Sequence, residues 1–269
     1  MNQSFLKKGC AIATAIVSAT FTVVPEEVFK HGFILCGWSD STVIVVNRLI
    51  FCAVAFILSC LGYVCYLKLR RTVTILDRTS TIKIEYADLF KVKKGKILIN
   101  FDECFSTNVG DKPEDIKPGS VCGQYLAKYP IDDIQSLVQS SGIQSVGVSH
   151  YDNKTRYESG TIIPRDRHLL MAFAKLDERG LGNMTYGEYL DCLDKLWEQI
   201  DIYHGTDDVY LPILGSRITR FDKDLSQQEL LDIMIASYRL SPKKMKRPNV
   251  LHIVCKKREG FSLNDITGV

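Results

Sequence analysis

The stretch that decides the fold is ILINFDECFSTNVGDKPEDIKPGSVCGQYL, residues 97–126. It opens with an apolar run that ends at Asn100, continues as a polar segment rich in carboxylates, proline and glycine, and begins a helix after Gly119 and Ser120. A short apolar run bounded by turn residues is typical of a strand buried on both faces. Because α/β sheets bind ligands beyond the carboxyl ends of their strands, the polar segment is a candidate ligand loop.

Downstream of Thr72 the sequence alternates short apolar strands with helical segments. Apolar residues at helical spacing between Ile131 and Val138 predict one helix. Capping boxes at Thr185–Glu188 and Ser226–Glu229 predict the starts of two more. The predicted strands are TVTIL, TIKIEYADLF, KKGKILIN, IQSVGVSHY, ESGTIIPR, RHLLMAFAKL, DVYLPILG and NVLHIVCKK. Strands that alternate with crossover helices predict an α/β fold, a three-layer α/β/α domain over residues 72–269.

The first 71 residues predict a transmembrane helical hairpin. The run Leu49–Leu67 carries no charge, is long enough to cross a bilayer, and is followed at once by KLRR, which is typical of a cytoplasmic exit. A weaker run, Gly9–Val24, follows Lys7 and Lys8 and could instead be a cleaved signal peptide. Because the connecting segment is net acidic, we expect helices at about 9–24 and 43–67 in the bacterial inner membrane, with both termini in the cytoplasm.

Two polar residues, Asn47 and Arg48, lie at the far end of the second apolar run. The simpler interpretation is that Arg48 extends to the outer headgroups. The alternative is that both side chains face neighbouring helices in an assembly.

Composition excludes several classes of protein. The net charge of +3 is too small to indicate a nucleic-acid partner. The nine cysteines include no C-x-x-C pair and no histidine spacing suited to zinc, so we expect reduced thiols and no metal site. The segment DERGLGNMTYGE, residues 177–188, resembles a calcium loop, but Arg179 and Leu181 occupy two of the positions that should supply oxygen ligands. The capping box accounts for Glu188 instead.

Three predicted strand ends carry residues suited to a diphosphate ligand. The first is the tetrapeptide Asn100–Glu103, and the second is the glycine-flanked helix start Pro118–Gly123, whose free N–H groups could hold a phosphate. The third is Gly215–Arg220, where glycine permits close backbone approach and two arginines could pair with phosphates. Each alone is also an ordinary turn. Neither a P-loop nor a G-x-G-x-x-G motif occurs.

Together with Asp88 in YADLF, these segments resemble the ADP-ribose-binding macro domain. More closely, the whole chain resembles the membrane-anchored ThsA effector family of type II Thoeris antiphage systems. The resemblance implies that Asp88 receives the adenine amino group, that Asn100–Glu103 lie beside the distal ribose, and that the other two loops enclose the diphosphate. The candidate ligand-binding residues are therefore Asp88, Asn100, Phe101, Asp102, Glu103, Ser120, Val121, Cys122, Gly123, Gly215, Ser216, Arg217 and Ile218.

The sequence departs from ordinary macro domains at two points. It lacks the triple glycine of the first phosphate loop, and it has INFDE where ADP-ribosyl hydrolases have an asparagine-rich NAAN segment. These departures weaken a hydrolase interpretation.

The resemblance implies a signal-gated membrane effector that is not an enzyme and uses no cofactor. A TIR-domain partner would make an ADP-ribose-derived messenger, in type II systems histidine-conjugated ADP-ribose. Binding would drive homo-oligomer assembly and disruption of the lipid bilayer. The alternatives are a membrane-tethered ADP-ribose-derivative hydrolase, with Asp102 or Glu103 activating water, and a constitutive scaffold whose basic segments Ser241–Pro248 and Lys256–Arg258 touch anionic lipid.

Overall fold

The computed structural model describes residues 3–31, 39–216 and 219–266, with the side chains of residues 3–9 and 31 excepted. Internal contacts divide the chain into two compact units, Met1–Arg70 and Arg71–Val269. This boundary falls one residue before the predicted one. Each unit is described separately.

The first unit consists of two α-helices and a 3-10 turn. Helix α1 spans Gln3–Val23, the 3-10 helix spans Glu26–His31, and α2 spans Asp40–Leu69. Helix α2 extends beyond its predicted bounds at both ends, whereas α1 begins six residues earlier than predicted and ends one residue earlier. Ser39 caps α2 by accepting a hydrogen bond from the N–H of Thr42. Among the described residues, α2 alone is long and apolar enough to cross a membrane, and the apolar part of α1, Cys10–Val23, is shorter.

Polar and aromatic contacts join the two helices where α2 begins. The buried Asn47 side chain donates to the carbonyl of Phe29 at 2.7 Å. The guanidinium of Arg48 lies 5.4 Å from the ring centres of Phe21 and Phe29 and 3.6 Å from the carboxylate of Glu26. Both polar residues therefore contact their own chain, whereas sequence reasoning considered only lipid headgroups or neighbouring subunits as their partners.

The second unit is built on one large mixed sheet. Its elements are β1 (Thr72–Leu76), β2 (Thr81–Tyr86), a 3-10 helix (Leu89–Lys91), β3 (Lys96–Asp102), α3 (Val121–Lys128), α4 (Ile134–Ser141), β4 (Ser145–Val148), β5 (Thr155–Tyr157), β6 (Ile162–Arg165), β7 (His168–Leu176), β8 (Gly182–Met184), α5 (Tyr186–Tyr203), β9 (Val209–Pro212), β10 (Arg220–Phe221), α6 (Gln227–Leu240) and β11 (Leu251–Cys255).

The sheet has nine strands in the order β1-β2-β11-β9-β3-β7-β8-β10, with β6 also paired to β7. Strands β2, β11, β9, β3 and β7 run parallel, whereas β1 and β6 are antiparallel to their neighbours. Strands β4 and β5 form a separate two-stranded ribbon. The carboxyl ends of β3, β7 and β9 therefore meet at one edge.

Helices cover both faces of the sheet, and strand alternation explains how. On one face Leu98 and Phe173 pack with residues of α5 and α6, such as Trp197 and Met234. On the other face Ile99 packs with α3 and α4, together with Ile97 and Phe101, the residues two positions before and after it in β3. The predicted three-layer α/β/α architecture is confirmed.

Both predicted capping boxes are present, at Thr185 with Glu188 and at Ser226 with Glu229. The segment that resembles a calcium loop, residues 177–188, begins with an ordinary turn. In this turn Asp177 Oδ1 accepts from the N–H groups of Arg179 and Leu181.

Candidate functional site

A cavity of about 440 Å³ opens at the edge where the carboxyl ends of β3, β7 and β9 meet. Four segments line it: the end of β3, the loop that leads into α3, the β7–β8 hairpin, and the loop between β9 and β10. The lining residues are Asn100, Phe101, Asp102, Pro113, Glu114, Asp115, Ile116, Lys117, Ser120, Val121, Cys122, Phe173, Ala174, Leu176, Gly180, Leu181, Gly182, Pro212, Ile213, Gly215, Ser216, Thr219 and Arg220. The three strand-end segments singled out in the sequence thus meet at one site.

The end of β3 contributes Asn100, Phe101 and Asp102 to the cavity wall. Phe101 is buried and contributes apolar surface. The Oδ1 atom of Asn100 is buried and has no hydrogen-bond partner among the described residues. Since an unpaired buried polar atom costs free energy, this oxygen is suited to accept a hydrogen bond from a bound molecule.

Asp102 shapes the loop as well as lining the cavity. Its Oδ1 atom accepts from the N–H groups of Cys104 and Ser106 at 2.9 and 3.0 Å. Burial raises the pKa of Asp102, and the two backbone hydrogen bonds oppose that shift.

Glu103, in contrast, does not line the cavity. Its side chain is 2% exposed and accepts from Ser149 Oγ at 2.6 Å and from the N–H of Leu176 at 3.1 Å. Arg156 lies 3.7 Å from its second oxygen. These contacts connect β3 to the β4–β5 ribbon and to the end of β7, so the ribose contact predicted for Glu103 has no support in this geometry.

The start of α3 places Ser120, Val121 and Cys122 at the cavity. Ser120 Oγ caps the helix by accepting the N–H of Gly123 at 2.9 Å. The first-turn N–H groups of Val121 and Cys122 have no acceptor within a helix and are the amides suited to a phosphate. Burial raises the pKa of the Cys122 thiol well above its usual range, which disfavours the thiolate form.

Gly123 has a packing role. It is buried, and a Cβ atom there would collide with the carbonyl of Lys117. Its N–H is already paired with Ser120, so the predicted phosphate contact through Gly123 is not available in this arrangement.

The loop after β9 places Gly215 and Ser216 at the cavity. Gly215 has a φ of +76°, and a Cβ atom there would lie 2.6 Å from the ring of Phe221. Both features require glycine. Ser216 Oγ donates to the carbonyl of Ile213 at 2.9 Å. Arg217 and Ile218 lie outside the described residues, and the cavity wall continues with Thr219 and Arg220.

Asp88 lies apart from the cavity lining. It caps the short 3-10 helix Leu89–Lys91, and its Oδ1 atom accepts the N–H of Phe90 at 3.0 Å. Its adenine-binding role stays a prediction.

Sequence reasoning missed two loop segments of the wall, Pro113–Lys117 and Gly180–Gly182, and the end of β7 with Phe173, Ala174 and Leu176. The first belongs to a loop closed by a bridge between Val109 and Ile116. A Cβ atom at Gly180, whose φ is +74°, would lie 2.7 Å from the Cβ of Glu114, so the two segments touch across the site. The dense glycine and proline of GDKPEDIKPG signalled an ordered loop but not its position.

The cavity has mixed charge. Asp102, Glu114 and Asp115 contribute carboxylates, and Lys117 and Arg220 contribute cations. The Lys117 ammonium donates to the carbonyls of Asp111, at 3.0 Å, and Lys112. The described part of the chain contains no group of three or more metal-ligating side chains.

Replacing Gly180 by alanine tests the contact between the segments Pro113–Lys117 and Gly180–Gly182. Gly142→Ala is the matched control, because Gly142 has a similar φ of +69° but a Cβ atom there would have no neighbour within 4 Å. Both variants incur backbone strain of roughly 1–2 kcal/mol, and Gly180→Ala should lose about 1–3 kcal/mol more through overpacking. Denaturant unfolding measures both values; equal losses would contradict the close contact.

Asp102→Asn should change the pH dependence of stability. The folded-state pKa of Asp102 is raised above 3.8, so the folded protein holds this proton more tightly than the unfolded chain. The contribution of Asp102 is therefore largest at low pH and is lost as pH rises from 3.8 through the folded-state pKa. An asparagine side chain keeps the Oδ1 acceptor but does not titrate, so it removes this pH dependence.

We expect wild type and variant to have similar free energies of unfolding at the acid end, with the variant becoming the more stable as pH rises. Urea unfolding across the acid range measures the difference. A difference that does not change with pH would show that Asp102 is not desolvated.

Sequence comparison relates the chain to known proteins. Thoeris protein ThsA of Bacillus amyloliquefaciens (strain Y2) is 27% identical over 206 residues, which cover 71% of this chain and 68% of that protein. A solved mutant of the Oceanobacillus iheyensis macrodomain gives a TM-score of 0.45 at 8% identity, covering 70% of this chain and 91% of that one. The family model described as "Thoeris protein ThsA, Macro domain" matches residues 82–256. Since that match covers more than half of the chain, the protein belongs to the Thoeris ThsA macro-domain family.

Proposed function

We propose that the cavity binds an ADP-ribose-derived messenger and that binding activates a membrane effector. Membership of the Thoeris ThsA family places the chain among antiphage defence effectors that carry a macro domain. The observation that carries the messenger proposal is the meeting of a helix start, a positive-φ glycine loop and an unpaired asparagine oxygen around one cavity.

The cavity offers a distinct partner for each part of such a ligand. The diphosphate would lie between the amides of Val121 and Cys122 and the backbone of the loop at Gly215. Arg220 would add positive charge at the same wall. Asn100 Oδ1 would accept from a ribose hydroxyl, and the carboxylates of Glu114 and Asp115 would face a group that donates hydrogen bonds. Histidine-conjugated ADP-ribose, made by a TIR-domain partner, is the messenger that the family suggests.

Signalling then requires that the messenger bind the active state more tightly than the resting one, since a ligand shifts an equilibrium only by its differential affinity. We propose that the active state is a homo-oligomer that disrupts the bilayer through the hairpin of α1 and α2. The length and apolar composition of α2 support membrane insertion. The contacts of Asn47 and Arg48 with Phe29 and Glu26 support a hairpin, and we propose that both of its termini lie in the cytoplasm because the connecting segment is net acidic.

We further propose that the protein is not a catalyst. Glu103, one of the two carboxylates considered as a base, is buried away from the cavity in hydrogen bonds. Asp102 does reach the cavity, so a hydrolase remains the alternative. Turnover of ADP-ribose conjugates by the purified protein, lost in Asp102→Asn, would favour that alternative.

Asn100→Ala should weaken binding of ADP-ribose and its histidine conjugate. Loss of this buried acceptor, which has no partner in the described part of the protein, should cost about 1–3 kcal/mol of binding free energy, roughly a five- to 150-fold rise in Kd. Isothermal titration calorimetry on the full-length protein in detergent measures it. Asn108→Ala is the control, because Asn108 is exposed and does not line the cavity. Equal affinity in all three proteins would remove Asn100 from the site.

Two lysines on the lipid-facing side of α2 should abolish toxicity but leave sensing intact. Ile57 and Leu61 are 56% and 57% exposed within the helix pair, so Ile57→Lys with Leu61→Lys spares its internal packing. Each charge near the bilayer centre costs roughly 2.5–3.5 kcal/mol on insertion scales. Ile202→Lys with Leu240→Lys adds the same charge to exposed apolar positions of the second unit and is the control.

The readouts are alkaline extraction of membranes, messenger affinity, and membrane potential in cells that coexpress the messenger-producing partner. We expect the helix variant to be extracted and harmless with unchanged affinity, and the control to depolarise cells like wild type. Full toxicity from an extracted helix variant would overturn the membrane-effector proposal and favour the enzyme.

A further inference from the structure

Two basic segments of the second unit differ in what their side chains contact. In the first, Ser241–Pro248, three of the four cations are engaged by the fold. Lys243 pairs with Glu198, Lys244 lies 3.2 Å from the carboxylate of Asp77, and Arg247 donates to the carbonyl of Asp77. These residues precede β11 and therefore lie at the amino edge of the sheet.

The second segment, Lys256–Arg258, directly follows β11 and lies at the opposite, carboxyl edge. All three side chains are exposed, and none takes part in an ion pair within the described ranges. The one acidic neighbour in sequence is Glu259, so the segment carries a net positive charge. Its cations are therefore available to an external partner.

The hydrogen-bond ladder places this segment beside the first residue of the unit. Tyr86 donates from its N–H to the carbonyl of Arg71 at 3.0 Å, and Ala87 donates to the carbonyl of Cys255 at 3.3 Å. Tyr86 is also the register partner of Cys255. Arg71 and Lys256 thus flank the same end of β2.

Arg71 is in turn tied by covalent geometry to the apolar helix. Helix α2 ends at Leu69, and two peptide units span at most about 7 Å. If α2 crosses a bilayer, Arg71 lies at its surface, and the ladder brings Lys256–Arg258 close to that surface. The arginines and lysine of KLRR add to the positive charge there.

We propose that Lys256–Arg258, which lie beside Arg71, bind an anionic lipid leaflet. This inference rests on the membrane insertion proposed above. Anionic headgroups attract juxtamembrane lysine and arginine electrostatically, and the attraction fades within a Debye length. Lys243, Lys244 and Arg247 are already engaged within the fold and are not available for such a contact.

The test uses the full-length protein in lipid nanodiscs of phosphatidylcholine alone or with roughly one-third phosphatidylglycerol. Hydrogen–deuterium exchange of the backbone from Lys256 to Phe261 is followed by mass spectrometry. We expect exchange in the anionic discs to be at least roughly fivefold slower than in neutral discs. The difference should vanish in about 0.5 M NaCl, where the Debye length is only ~4 Å.

Two triple variants separate lipid contact from general electrostatics. Lys256→Gln, Lys257→Gln and Arg258→Gln together should remove the lipid dependence. Lys93→Gln, Lys94→Gln and Lys246→Gln remove the same charge from exposed positions near the amino edge and should keep it. Identical exchange of wild type in both kinds of disc, or equal lipid dependence in both variants, would overturn the proposal.

Alkaline extraction of the same protein from cell membranes distinguishes a failure of membrane insertion from a failure of the basic contact. Release from the membrane would overturn the insertion on which this proposal rests. Retention in the membrane without any effect of lipid charge on exchange would overturn the basic contact alone.

Discussion

The pairing of β3 with β7 is the constraint on which the site depends. The two strands run parallel and in register from Ile97 to Phe101, and the register then shifts so that Asp102 lies opposite Ala174. The additional residue is Phe173, on β7. Asp102 lines the cavity, whereas the next residue, Glu103, turns into the protein and accepts from the N–H of Leu176. Alternation along the strand thus separates a ligand-facing carboxylate from a structural one, and the pairing with β7 supplies a partner for the second.

The buried Glu103 shows how the fold fixes this edge. A carboxylate removed from water is costly unless its oxygens are paired. Ser149, Leu176 and Arg156 supply those partners from three different segments. Moving any of these segments would leave the carboxylate underpaired, so the requirement keeps β3, β7 and the β4–β5 ribbon together behind the cavity. Electrostatic contacts as well as apolar packing therefore hold this edge of the sheet in place.

Sequence patterns predicted the layers of the fold but not all directions of its side chains. Alternating apolar strands and capping boxes depend on local chemistry, and they correctly gave the three layers and the starts of α5 and α6. Alternation gives Asp102 and Glu103 opposed directions, but which of the two faces the cavity depends on the packing of the folded sheet, which no local pattern records. Gly123 appeared suited to phosphate for the same reason, because only the folded chain shows the Lys117 carbonyl against it.

The two loop segments that the sequence did not predict, Pro113–Lys117 and Gly180–Gly182, suggest which parts of the site a bound ligand would connect. The loop from Asn108 to Lys117 is closed on itself by backbone hydrogen bonds and by the Lys117 ammonium. It joins α3 through the bond from the N–H of Ser120 to the carbonyl of Lys117, at 2.9 Å, and it touches the β7–β8 hairpin at Gly180. A ligand whose phosphates rest on α3 and whose far end meets Glu114 would therefore contact two parts of one connected wall. Since both contacts exist only when the two parts are in place, a messenger of this length would favour the arrangement seen here.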